Sequence, residues 1–104
     1  MIQLPERFRD GGFDMRVVWR EGMVVMLERS RPGHSYSTWE AAILKEVKET
    51  RWPDGKTTPA REVMPRNEDW GRLGFTYLTR EQAEEGFKGL VTSREKAAEK
   101  GGAA

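Results

Sequence analysis

The side chains that most often carry out chemistry are scarce in this chain of 104 residues, which has one histidine and no cysteine. His34 lies in a Pro-Gly-His-Ser segment and has no second His or Cys with which to share a metal ion or form a nucleophilic pair. Neighbouring carboxylates such as Glu84 and Glu85 do not face each other as an acid/base pair must. Glycines with dinucleotide or Walker spacing are absent from the sequence. The sequence therefore predicts no catalytic residue, no metal site and no cofactor.

Arginine and aromatic side chains form the pattern that does point to binding. Twelve of the 18 basic residues are arginine, which a protein interface favours and a GC-rich genome would also produce. Sheet aromatics interleaved with arginine can hold single-stranded nucleic acid, and core packing is the alternative role of the aromatics. Acidic neighbours such as Glu21 and Glu28 would partly cancel a phosphate-binding stripe. The residues predicted for a nucleic-acid site are Arg16, Arg20, Arg51 and Trp52.

Length and charge limit the class of protein further. A chain of this size supplies one hydrophobic core rather than two. The net charge of +1 gives no overall attraction to nucleic acid or to an anionic membrane, so any such contact must be local. The first 20 residues carry charges where a signal peptide needs an apolar segment, and the longest apolar run, 23–27, is too short to span a bilayer. Since the lack of cysteine also suits a reducing compartment, we expect a cytoplasmic protein that binds no membrane.

Apolar periodicity predicts an α+β fold, with an antiparallel meander sheet of about four strands and a C-terminal amphipathic helix packed on one face. Residues 1–12 are predicted to form a polar lead-in segment, 13–91 the single domain, and 92–104 a polar, partly disordered tail. The capping box Thr79-Arg80-Glu81-Gln82 predicts the start of the helix. The helix would then turn Ala83 and Phe87 toward the sheet.

Turn signals divide the middle of the chain. A strand is predicted over 36–47, and Trp52-Pro53-Asp54-Gly55 has the residues of a tight turn that reverses the chain into a hairpin arm over 56–64. A capped single turn is predicted over 67–71 and a last short strand over 74–78.

The apolar segment 23–27 follows a predicted strand over 13–20, and the register between the two strands is open. A two-residue loop at Glu21-Gly22 sets Trp19 opposite Val24, whereas a three-residue loop with a bulge places Val25 and Leu27 with Val17 and Trp19. In both registers segment 23–27 is apolar on both faces. A central strand covered on both sides would explain this, and so would a strand whose outer face lies in a subunit interface. The residues predicted for a protein interface are Val24, Met26, Trp52 and Trp70.

The second half of the chain carries an ordered series of landmarks. They are Tyr36 at the start of a strand, Pro59 and Glu62 before Pro65, then Trp70-Gly71, Gly74-Phe75-Thr76-Tyr77, Thr79, Ala83 and Phe87. Over residues 13–91 this order resembles small uncharacterised proteins of similar length encoded by bacteriophages and prophages. In that group a Trp-Gly pair and a Gly-Trp/Phe-Thr stretch precede a helix with Ala and Phe at this spacing, and Phe75 stands here at the position where Trp is expected.

The resemblance implies a setting in a bacterial host cell and no particular activity. Small phage accessory proteins bind host machinery or nucleic acid, and some inhibit bacterial defence, although likeness of fold does not establish function. We therefore expect a non-catalytic accessory protein that binds a protein partner or itself and modulates host or defence machinery. The alternative is a single-stranded nucleic-acid-binding domain.

Overall fold

A computed structural model of the chain describes residues 2–102, together with the side chains of residues 2–66 and 68–96. The elements in chain order are β1 (Arg7–Asp10), β2 (Phe13–Glu21), β3 (Val24–Ser30), β4 (Ser37–Ile43), β5 (Lys45–Val47), β6 (Thr50–Arg51), β7 (Thr57–Thr58), β8 (Arg61–Val63), a 3₁₀ turn (Asn67–Asp69), β9 (Gly74–Tyr77) and α1 (Arg80–Gly102). The main sheet has the order β1-β2-β3-β4-β9 with antiparallel neighbours, and α1 packs against it. The predicted α+β class is confirmed, with five strands in the main sheet.

The amino-terminal segment supplies an edge strand that the sequence did not predict. Asp10 pairs with Phe13 around Gly11-Gly12, whose φ angles of 59° and 84° are those of a type I′ turn. Phe8 of β1 lies opposite Met15 and packs against the core. Residues 7–10 are therefore part of the sheet, which corrects their assignment to a lead-in segment.

The β2–β3 hairpin adopts neither of the two registers considered from the sequence. Glu21 pairs with Val24, so the loop is Gly22-Met23, and the positive φ of 61° at Gly22 alone is typical of a type II′ turn. A bulge between Val17 and Trp19 then pairs Trp19 with Met26. Because a bulge inserts one extra residue, it reverses the alternation of side chains along the rest of β2.

Strand β3 is apolar on both faces because it is a central strand covered on both sides. On the helix face, Val24 and Met26 pack under α1 with Ala41, Ala83 and Phe87. On the far face, Val25 and Leu27 pack with Met15, Ala42 and Leu44 beneath Leu4, Phe8, Phe13 and Met64. Each fully buried side chain of this size contributes roughly 1.5–3 kcal/mol to folding, so this strand is the centre of the core.

Helix α1 begins where the capping box predicts. The Thr79 Oγ1 accepts a hydrogen bond of 3.2 Å from the backbone N–H of Gln82, and Ala83 and Phe87 are buried against the sheet. The helix continues to Gly102, so residues 92–102 of the predicted tail are part of α1. The predicted disorder of residues 103–104 lies outside the described residues.

The predicted strand over 36–47 is interrupted at Leu44. The Leu44 N–H donates a hydrogen bond to Met23 O, and beyond this residue the chain leaves the main sheet. It then forms a second hairpin, in which β5 pairs with β8 and β6 pairs with β7. The predicted turn at its end is confirmed, because the Gly55 N–H donates to Trp52 O at 3.0 Å and Gly55 has a φ of 88°.

The molecule measures 46 × 41 × 22 Å and has a radius of gyration of 15.4 Å, against about 13 Å for a compact chain of this length. The protein is therefore flat and extended.

Candidate functional site

Two of the four predicted interface residues lie inside the core. Val24 is 2% exposed and Met26 is 0% exposed, and both are covered by α1. The prediction that they face a subunit interface is therefore wrong, since the helix of the same chain occupies that face of β3. The sequence was compatible with a central strand covered on both sides and with a strand facing a subunit interface. The packing of α1 shows that the first is correct.

Trp70, another of the predicted interface residues, packs against a neighbouring segment of the same chain. It is half-buried, and its indole Nε1–H donates to the Thr76 Oγ1 at 3.0 Å. Gly74 lies against the six-membered ring of this indole, where an added Cβ would overlap the ring, with Cη2 at 2.8 Å. Trp70 therefore holds the segment after the 3₁₀ turn against the start of β9.

The predicted nucleic-acid residues Arg16 and Arg20 do not form one basic surface. Arg16 pairs with Glu28 across the β2–β3 ladder, with Nη2 and Oε1 2.8 Å apart, on the helix face. Arg20 follows the bulge and lies opposite Val25, which places it on the far face. The bulge thus separates two arginines that simple alternation puts together.

Arg20 forms a clamp between the main sheet and the second hairpin. Its Nη1 and Nη2 donate to the two carboxylate oxygens of Glu62 at 2.7 and 2.6 Å, and its Nε donates to Gly22 O. The Leu4 N–H also donates to Glu62. The hydrogen bonds from Arg20 lower the pKa of Glu62, against the opposing effect of burial. Both charges of this pair are therefore engaged within the protein.

The end of the second hairpin, here called the hairpin tip (residues 51–56), keeps Arg51 and Trp52 at the surface. Trp52 is 52% exposed, and its indole Nε1–H donates to the Thr58 Oγ1 at 2.9 Å across the hairpin. The Asp54 carboxylate accepts a hydrogen bond from the Lys56 N–H at 2.9 Å, which orders the turn. The hairpin tip therefore presents an exposed aromatic side chain in a fixed orientation.

A second candidate surface is a cleft on the far face that the sequence did not predict. It has a volume of about 350 Å³ and is lined by Asp10, Phe13, Arg29, Glu40, Met64 and Trp70, among others. We call it the Glu40 cleft. Glu40 is only 6% exposed, and its nearest charged partner is the Arg29 Nε, 3.7 Å from Oε1. The guanidinium carbon of Arg29 lies 3.5 Å above the centre of the Phe13 ring.

Burial raises the pKa of Glu40 to about 7, because the ionised carboxylate loses its hydration. The positive charge of Arg29 opposes this shift, and the negative charge of Asp10 adds to it. Glu40 therefore exchanges a proton near neutral pH. A carboxyl group with such a pKa can bind a cation or transfer a proton, and the cleft contains no second group arranged as its catalytic partner among the described residues.

His34 lies outside this cleft, with its ring edge-on to Tyr36 and the ring centroids 5.7 Å apart. Within the described part of the chain, no three His, Cys, Asp or Glu side chains come together as a metal site would require. No helix in residues 2–102 has the length and apolar character needed to cross a membrane.

Comparison with known proteins finds no matching family model, no similar curated protein and no similar solved structure.

Proposed function

We propose that this protein is a non-catalytic binding protein that attaches to a partner protein through the hairpin tip. The supporting observation is that Trp52 is half exposed while its indole is held by a hydrogen bond to Thr58. A large aromatic side chain that is already fixed loses little conformational entropy when a partner covers it. Tryptophan and arginine are also the residue types that most often anchor protein interfaces, and Arg51 precedes Trp52 in the chain.

A protein partner fits the charges better than a nucleic acid does. Glu28 and Glu62 neutralise Arg16 and Arg20, which lie on opposite faces of the sheet. The second hairpin (45–63) carries five basic and four acidic residues, which gives it a net charge of only +1. Sequence-independent nucleic-acid binding depends on phosphate contacts made by several closely spaced basic residues.

The resemblance to phage-encoded proteins supports a setting for this binding. In that setting the protein acts in the cytoplasm of a bacterial host and modulates host or defence machinery by occupying a surface of it. A binding role of this kind needs no catalytic group, metal ion or cofactor.

Comparative affinity capture tests the proposal. Tagged wild type, Trp52→Ala and Leu78→Ala are recovered from a bacterial host, and the bound proteins are quantified by mass spectrometry. Leu78 is the matched control because it is an exposed apolar residue away from the hairpin tip. We expect wild type and Leu78→Ala to capture the same partner protein in similar amounts. The amount captured by Trp52→Ala should be at least about tenfold lower.

The same variants separate the other kinds of binding. Equal capture by Trp52→Ala and wild type would contradict the proposal. Salt-sensitive binding of single-stranded DNA that Trp52→Ala abolishes would assign the hairpin tip to nucleic acid instead. Dimerisation that Trp52→Ala abolishes, measured by light scattering, would make the partner a second copy of this chain.

A further inference from the structure

Glu40 is a buried carboxylate whose hydrogen-bonding capacity is unused. No described residue donates a hydrogen bond to either of its oxygens, and the Arg29 Nε at 3.7 Å is beyond hydrogen-bond distance. Every fully buried side-chain nitrogen or oxygen among the described residues has a hydrogen-bond partner. The Glu40 oxygens are therefore reached from the Glu40 cleft that this side chain lines.

Arg29 lies close enough to offset the negative charge of Glu40, but it donates no hydrogen bond to the carboxylate. Its guanidinium lies over the Phe13 ring, with the carbon 3.5 Å from the ring centre, an arrangement stabilised by cation–π attraction. A carboxylate offers about four lone-pair directions, and a ligand with N–H groups can fill them.

The charges of the Glu40 cleft favour a cation over an anion. Asp10 and Glu40 contribute two negative charges when ionised, and Arg29 contributes one positive charge, so the lining has an excess negative charge once Glu40 is ionised, above a pH of about 7. An anionic ligand would have to displace Glu40 from Arg29, whereas a cation can join the carboxylate where no protein donor contacts it.

The walls of the Glu40 cleft fit an alkyl chain. Met15, Met64 and Trp70 line it beside the charged groups, and a volume of about 350 Å³ accommodates a chain of the size of a lysine side chain. Methionine adapts its shape to an apolar chain, and an indole attracts a nearby cation.

We propose that the Glu40 cleft binds a primary ammonium group on a short alkyl chain, with the ammonium donating hydrogen bonds to the Glu40 carboxylate. The ammonium can come from a free alkylamine or from a lysine side chain of a peptide. The site is separate from the hairpin tip, so it does not depend on the function proposed above.

Binding should follow the ionisation of Glu40. The charged groups that line the cleft around it are Asp10 from β1 and Arg29 from β3, while Thr76 from β9 and Trp70 from the preceding segment carry no charge. With a pKa of about 7, Glu40 is about tenfold less ionised at pH 6 than at pH 8, and an alkylamine stays protonated at both.

The test is an NMR titration of the full chain with n-butylamine, Nα-acetyl-lysine N-methylamide and n-butanol. We expect the two amines to shift resonances of the cleft residues with a Kd about tenfold weaker at pH 6 than at pH 8. Butanol, which is uncharged, should show no saturable binding. Binding of the lysine compound alone would identify a peptide as the source of the ammonium group. Binding of butylamine alone would identify a free amine, and both results support the proposed site.

Glu40→Gln keeps the shape of the side chain and should weaken amine binding at least tenfold, while Glu28→Gln, outside the cleft, should leave it unchanged. Three results would overturn the proposal: no saturable binding of either amine, equal binding of butanol, or unchanged amine binding in Glu40→Gln. The pH dependence of the wild type decides the matter independently if Glu40→Gln does not fold.

Discussion

The burial of the Glu40 carboxyl group should make the free energy of unfolding depend on pH. Its pKa is raised from 4.5 to about 7, so the folded state holds the proton more tightly than the unfolded chain does. Its ionisation therefore opposes folding increasingly as the pH rises from about 4.5 to about 7. Because glutamine cannot ionise, Glu40→Gln removes this dependence.

We expect Glu40→Gln to gain up to about 3 kcal/mol of unfolding free energy relative to wild type between pH 5 and pH 8. Urea unfolding at four pH values across this interval measures the gain. Glu28→Gln is the control because Glu28 lies at the surface in an ion pair with Arg16. A difference between Glu40→Gln and wild type that is constant with pH would show that burial does not control this group.

The Arg20–Glu62 clamp should stabilise the fold more than the Arg16–Glu28 pair. Both are close ion pairs, but the Glu62 side chain is only 5% exposed and that of Glu28 is 26% exposed. In double-mutant cycles with Met for Arg and Gln for Glu, we expect a coupling of roughly 1–3 kcal/mol for the clamp and below about 1 kcal/mol for the other pair.

The pKa of Glu62 is lowered in the folded state, so its contribution is present at neutral pH and is lost in acid, as the pH falls through the folded-state value. Urea unfolding over a series of pH values that descends from pH 7 measures both effects. Equal coupling for the two pairs, or coupling of the clamp that does not decrease as the solution is acidified, would contradict its role.

At the scale of elements, two glycines of α1 have opposite roles. A Cβ at Gly86 would overlap the hydroxyl and ring of Tyr77, with Cε2 at 2.9 Å, whereas a Cβ at Gly89 would meet nothing within 4 Å. Gly86 therefore permits the close approach of α1 to β9. Gly89 has no such contact to explain it.

We expect Gly89→Ala to stabilise the protein by about 0.5–1 kcal/mol, because alanine has the higher helix propensity. Gly86→Ala should instead destabilise it by about 1–3 kcal/mol, since the ring of Tyr77 must move. Thermal and urea unfolding compare the two variants. If both stabilise the protein equally, the close packing of α1 on β9 is not as described.

The elements could be predicted from the sequence where a local signal specifies them. Thr79 with Gln82 marked the start of the helix, and Pro53 with Gly55 marked the turn of the second hairpin. The bulge after Val17 has no local signal, because it depends on how β2 fits β3 and α1 together. Gly11-Gly12 did carry a hairpin signal, which the polar residues around it obscured.

The candidate sites were less accessible from the sequence than the elements. Trp52 was predicted as a binding residue from its type and its position beside a turn. The Glu40 cleft could not be predicted without the tertiary structure, since it combines residues of β1, β2, β3, β4 and β9 with residues from the segments that follow β8 and precede β9. Leu27 of β3 lies opposite Glu40 of β4, and the sequence analysis did not predict the register of this pair of strands.

At the scale of the whole molecule, binding and stability should depend on different tryptophans. Trp52 lies at the end of an extended hairpin, whereas Trp70 packs on Gly74 and lines the Glu40 cleft. We expect Trp52→Ala to change the unfolding free energy by less than about 1 kcal/mol and Trp70→Ala to lower it by about 2 kcal/mol. Urea unfolding tests this, and a larger loss with Trp52→Ala would mean that the hairpin tip is part of the core.

Site-specific photo-crosslinking in host cells tests most directly whether the hairpin tip contacts a partner. A benzophenone amino acid is placed at Lys56 in the tip and, as a control, at Glu85 on the exposed side of α1. We predict a discrete protein adduct from position 56 that is absent from position 85 and is lost when Trp52→Ala is added. Adducts of equal yield from both positions, or an adduct at position 56 that is unaffected by Trp52→Ala, would contradict the proposed function.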